Sequence, residues 1–158
     1  MRMVATLIGL VLALGTVAPA FAAPDDGVHI GELRAHLFYQ RSGVLSEDLI
    51  ARKPRFNGWN TAIGEGDAKE PSENLLVVAT LVNPGDETFL NEKVILRVTD
   101  EMDELVKVKE YNGLLLSDKG TLQLPMWLDS AECLGPITIS ATFRDKTATG
   151  TLDLLCGT

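Results

Sequence analysis

An all-β domain is predicted for this chain, on three observations. Apolar and polar residues alternate with period two in a succession of short segments. Gly, Pro, Asn and Asp bound those segments. No stretch beyond the N-terminal leader sustains the 3.6-residue period of an amphipathic helix.

The first predicted strand covers residues 28–39, with Leu33, Ala35, Leu37 and Tyr39 on one face and His36 on the other. The second, 75–82, is apolar on both faces, which marks a central strand whose outer side must also be covered. Strands at 93–99 and 105–111 flank the acidic turn 100–104. A hairpin there is expected to set Val98 opposite Val106 and Leu96 opposite Val108. The turn at 117–120 leads into a strand at 121–128 whose apolar face is Leu122, Leu124, Met126 and Leu128. Pro125 places that strand at a sheet edge, because proline cannot donate to a ladder.

The last hairpin is the most constrained. Ile137, Ile139, Ala141 and Phe143 form one inward set, and Ala148, Leu152 and Leu154 the other. A tight turn near Arg144-Asp145 pairs Phe143 with Lys146, so that paired residue numbers add to 289. Cys133 and Cys156 satisfy the same sum, which brings them together on the inward face at the open end of the hairpin. In an oxidising compartment this pair is expected to form a disulfide contributing roughly 3 kcal/mol on the chain-entropy model. The spacing is not Cys-x-x-Cys and no histidine supports a metal site, so a structural bridge is preferred to a redox or metal-binding pair.

Seven strands with one long early connection and later hairpins predict an immunoglobulin-like β-sandwich, with a small antiparallel meander barrel as the alternative. The tryptophan and inter-sheet cysteine arrangement of antibody domains is not expected, since these cysteines lie on neighbouring strands.

The N-terminus locates the domain. Arg2 precedes an apolar run from Val4 to Ala18, and Ala20-Phe21-Ala22 supplies the small-x-small pattern of a signal-peptidase site. Residues 1–22 are therefore expected to be a cleaved signal peptide and 23–158 a single domain, periplasmic or secreted. The run is short for a membrane span and nothing after it is apolar for long enough, so no stable membrane insertion is expected. No cysteine near the cleavage site offers lipid attachment. The formal net charge is −8, and loss of Arg2 takes it to −9. That balance disfavours nucleic acid and anionic membrane as partners.

Candidate sites concentrate in residues 53–73, a connection longer than compact domains usually carry without a reason. It holds Phe56, Trp59 and Ile63, and a glycine-bearing acidic stretch, 64–70, with Glu65, Asp67 and Glu70. Those carboxylates are candidate oxygen ligands for calcium, with Asp100 or Asp103 as a further candidate ligand, although no EF-hand spacing is present. The structural reading makes the same segment a flap, with Phe56, Trp59 and Ile63 over the outer face of Leu76, Val78 and Val82. Trp127 alternates outward beside Pro125 and is a candidate binding anchor unless the chain's own loop covers it. Lys93, Arg97, Lys107 and Lys109 are expected to share an outward face as a basic stripe, more simply read as a solvated sheet surface. His29 and His36, seven apart, face opposite sides unless a bulge near Gly31 intervenes.

No nucleophile elbow or triad-like spacing is present, so no catalytic residue, metal or cofactor is assigned. The expected function is that of an exported, non-enzymatic binding or adaptor protein of the bacterial envelope, acting on another envelope or secreted protein. A small-ligand or calcium-binding module using loop 64–70 is the alternative.

Overall fold

A computed structural model describes residues 27–157, which places the leader outside the described residues. Ten strands run in chain order: β1 (His29–Phe38), β2 (Gly58–Trp59), β3 (Asn74–Val82), β4 (Thr88–Leu90), β5 (Val94–Thr99), β6 (Leu105–Tyr111), β7 (Leu114–Leu116), β8 (Thr121–Leu128), β9 (Gly135–Phe143) and β10 (Lys146–Leu155). One 3-10 turn, Thr61–Ile63, is the only helical element among the described residues. The seven strands expected from the alternation are all present, and the three others are too short for a period to be seen.

The strands form a three-stranded sheet, β1-β3-β8, a five-stranded sheet, β2-β10-β9-β5-β6, and a two-stranded ribbon, β4-β7. All pairings are antiparallel except β2 with β10. β1 packs across against β9 and β10, giving a sandwich-like arrangement of the two larger sheets, and both remain open. The meander-barrel alternative is thereby corrected. β3 pairs with β1 and β8 rather than with its next neighbours in sequence, so consecutive strands do not close on themselves.

Alternation builds the core between the sheets. Ala35 and Leu37 from β1, Leu75, Val77, Ala79 and Leu81 from β3, and Leu124, Met126 and Leu128 from β8 are buried on one side. They face Leu96 and Val98 from β5, Ile137, Ile139, Ala141 and Phe143 from β9, and Leu152 and Leu154 from β10. β3 is central and β8 an edge, as its two-sided apolarity and Pro125 predict. Val78 and Thr80, on the outer face of β3, are buried. Their cover comes from neighbouring strands: Gln123 Oε1 accepts from Thr80 Oγ1 at 2.9 Å and from Arg34 Nη2 at 2.7 Å, and Pro125 lies beside Val78.

The β9–β10 register follows the predicted sum, from Lys146 opposite Phe143 to Leu154 opposite Gly135, and Cys133 is bonded to Cys156. Both cysteines are exposed rather than inward, because the ladder ends at Gly135 and the bridge lies just beyond it.

The β5–β6 hairpin departs from expectation by one residue. Leu96 faces Lys109 and Val98 faces Lys107, with an irregularity between Val98 and Thr99. The cause is the turn. Asp103 is left-handed at φ 60°, and Asp100 Oδ1 accepts from the backbone N–H of Met102 and of Glu104, both at 2.9 Å. A one-residue slip transfers every side chain to the other face. Lys107 and Lys109 therefore lie on the side of the buried Leu96 and Val98, while Arg97 faces outward beside Val108, and the expected basic stripe does not form.

Candidate functional site

Segment 53–73 folds as a unit. It enters through a cis Lys53–Pro54 bond and buries Phe56, which carries the Arg52 guanidinium 5.5 Å from its ring centroid. β2 then adds in parallel to β10, with Gly58 opposite Leu154 and Trp59 opposite Leu155. Only glycine fits at 58, since a Cβ there would stand 2.2 Å from the Asp153 carbonyl oxygen. Asn60 turns the chain in the left-handed region, φ 46°, with its N–H bonded to Leu155 O at 2.8 Å. The 3-10 turn follows. Gly66, at φ +66°, folds the return strand so closely that a Cβ would lie 2.4 Å from Asn57 O. Asn57 and Asp67 lock the base reciprocally, Asp67 N–H to Asn57 O at 2.9 Å and Asn57 N–H to Asp67 Oδ2 at 3.0 Å. The segment thus extends the five-stranded sheet as an edge. The flap expected over Leu76, Val78 and Val82 is corrected accordingly: Trp59 belongs to the other sheet.

The acidic residues of this segment point to separate partners. Glu65 Oε2 accepts from Asn60 Nδ2 at 2.8 Å, Asp67 Oδ2 meets Arg52 Nη1 at 3.0 Å, and Glu70 Oε2 accepts from Ser42 N–H at 3.0 Å. Asp100 is engaged in its own turn. Among the described residues no group of three or more His, Cys, Asp or Glu side chains is placed to hold a metal ion.

Among the exposed residues here are three large apolar ones. Trp59 is 41% exposed and Leu155, its neighbour across the β2–β10 pairing, 38%, while Ile63 projects from the 3-10 turn at 65%. Trp59 and Leu155 make a shelf at the end of the molecule that also carries the disulfide, and Ile63, whose N–H donates to Asn60 O, lies one turn along the chain. Trp59 was legible in the sequence. Leu155 was not, because nothing in a two-residue parallel strand announces its partner. Behind the shelf, Gly157 N–H donates to Asn60 Oδ1 at 2.6 Å, and Gly157 lies against the Trp59 ring.

The second tryptophan is differently placed. Trp127 is half-buried on the outer face of β8, opposite Leu76 and edge-on to Phe38, with ring centroids 5.4 Å apart. Its ring and that of Phe38 flank the outer face of β3, so most of its contact area is already spent within the domain. A second exposed apolar pair, Phe89 and Leu115, lies directly across the β4–β7 ribbon, whose other side inserts Leu90 and Leu116 into the core.

The histidines share a face after all. A register shift between Ile30 and Leu33 sets His29 opposite Val82 and His36 opposite Leu76. Six positions of β3 still separate them, about 20 Å at strand rise, too far for one metal ion. Their rings are bonded to backbone: His29 Nδ1 lies 2.8 Å from Gly27 O, and His36 Nδ1 2.9 Å from Ser46 O. The Ser46 hydroxyl serves Leu37 N–H and Glu47 O instead of the His36 ring.

No protein-family model matches this chain, and no curated protein matches it.

Proposed function

We propose that this protein is an exported, non-enzymatic binding module of the bacterial envelope, and that it captures a protein partner through the Trp59–Leu155 shelf and the neighbouring Ile63. The observation that carries this reading is the pairing of an exposed tryptophan with an exposed leucine on a rigid sheet edge. Tryptophan anchors contribute disproportionately to protein interfaces, and a preorganised scaffold lowers the ordering cost of association. The surrounding backbone is shaped by Gly58, Gly66 and the Asn57–Asp67 bonds and is tied on the Asn60 side to Leu155 and Gly157, which together supply that preorganisation.

Within this reading the domain is an immunoglobulin-like sandwich of seven principal strands, β1-β3-β8 against β10-β9-β5-β6, elaborated by β2 and the β4–β7 ribbon. The strand orders and Greek-key connections support that assignment. Export with cleavage near Ala22 is supported by the leader's charge and apolar pattern, and the disulfide accords with an oxidising compartment.

The test replaces the anchor. Trp59→Ala is expected to weaken partner capture by about 2 kcal/mol or more, the range of an interface hot spot. The melting temperature should stay within a few degrees of wild type. A large loss of melting temperature would instead make Trp59 a structural residue.

A further inference from the structure

Resting on the binding role proposed for the Trp59 surface, we infer that the Cys133–Cys156 disulfide gates it: the shelf is held in its binding conformation only while the bridge is oxidised. The β9–β10 ladder ends at the Leu154–Gly135 pair. Beyond it, residues 155–157 touch the segment that carries Trp59: Leu155 pairs with Trp59 and accepts from Asn60 N–H, and Gly157 N–H donates to Asn60 Oδ1. These bonds tie the tail to the Trp59 segment. The disulfide adds, through Cys133 just ahead of β9, a covalent link between the end of β10 and the chain entering β9.

Asn60 is where the tail's hold is transmitted. Its backbone is left-handed, a conformation asparagine tolerates better than other non-glycine residues, so the contacts around it decide how firmly it is held. Three further bonds converge on it: Ile63 N–H and Glu65 N–H both donate to Asn60 O, and Asn60 Nδ2 donates to Glu65 Oε2. Releasing Gly157 thus loosens the residue that positions Trp59 on one side and Ile63 on the other. The buried strand pairs from Ile137–Leu152 to Phe143–Lys146 lie outside this path and keep the domain folded.

Both cysteines are exposed, so an external dithiol can reach the sulfurs. Its first thiolate attacks one sulfur to form a mixed disulfide and expels the other cysteine as thiolate. Its second thiol resolves that intermediate. Two electrons and two protons pass to Cys133 and Cys156, and the dithiol leaves as a disulfide.

Hydrogen exchange on the oxidised protein, the dithiol-reduced protein and the Cys133→Ser/Cys156→Ser variant tests the gate without a partner. The expected result is exchange at Asn60, Ile63, Glu65 and Gly157 faster by roughly tenfold or more on loss of the bridge, with the locally opening turn amides of Met102 and Lys119 unchanged. Unchanged rates at the first four amides overturn the proposal, and so does equal acceleration at Met102 and Lys119, which would make the bridge a general staple. Truncation after Cys156 keeps the disulfide and removes the Gly157 donor to Asn60 without setting new atoms against the Trp59 ring. Faster exchange at Asn60 and Ile63 in that variant supports the path, and no change overturns it. Capture of a crosslinked partner by oxidised and reduced protein, with Trp59→Ala alongside, separates the two proposals. Loss in Trp59→Ala with equal capture by both redox forms rejects the gate and keeps the binding role. Equal capture by Trp59→Ala rejects the binding role and with it the functional gate.

Discussion

Gly66 and Phe56 carry more of the structure than their neighbours in the same loop. An alanine at 66 would be left-handed and 2.4 Å from a backbone carbonyl, so Gly66→Ala is expected to destabilise the domain by about 1–3 kcal/mol in denaturant titration. Phe56→Ala removes a buried ring and should cost about 3–5 kcal/mol, whereas Trp59→Ala, two-fifths exposed, should cost far less. Urea midpoints of the two variants side by side check that ordering. The sequence places both aromatics in one long loop and treats them alike. Burial separates them, because Phe56 reaches the core before the chain joins β10 while Trp59 lies on the joined edge. The acidic residues nearby also looked alike as ligands. Their hydrogen-bond partners, set by the folded loop, send Glu65, Asp67 and Glu70 to different neighbours.

At the scale of elements, alternation is a reliable signal and register is not. The β9–β10 pairing was legible because its turn is tight and both inward sets are unambiguous. The β5–β6 pairing slipped by one because the five-residue acidic turn admits a left-handed Asp103 and an irregularity, neither of which the alternation encodes. The slip has a consequence for association. β6 forms an edge of the five-stranded sheet, and Lys107 and Lys109 point to its inner side, an arrangement that discourages strand-to-strand pairing between molecules. Lys109 Nζ and the Tyr111 hydroxyl also reach across to Pro125 O on the β8 edge. Replacing both lysines with valine is expected to raise self-association, seen as a concentration-dependent rise in sedimentation coefficient. An unchanged monomer would refute a protective role for the lysines. β2 and the β4–β7 ribbon escaped sequence reading for a simpler reason, since two or three residues cannot display a period.

The whole molecule joins a well-packed core to one covalently tied end. Reduction of the Cys133–Cys156 bridge is expected to cost roughly 3 kcal/mol of stability, so the reduced domain should melt several degrees lower yet still cooperatively. Calcium added after chelator treatment is expected to release no heat at millimolar concentration, because the loop carboxylates do not converge. A measurable binding isotherm would restore the metal-site reading. The measurement that bears most directly on the binding role is capture in the native host. C-terminally tagged oxidised wild type and Trp59→Ala, each expressed with its own leader, are crosslinked gently and compared at equal bait and equal melting temperature. The shelf reading predicts one near-stoichiometric protein with wild type and its loss with Trp59→Ala. The same protein retained in equal amount by both would contradict it.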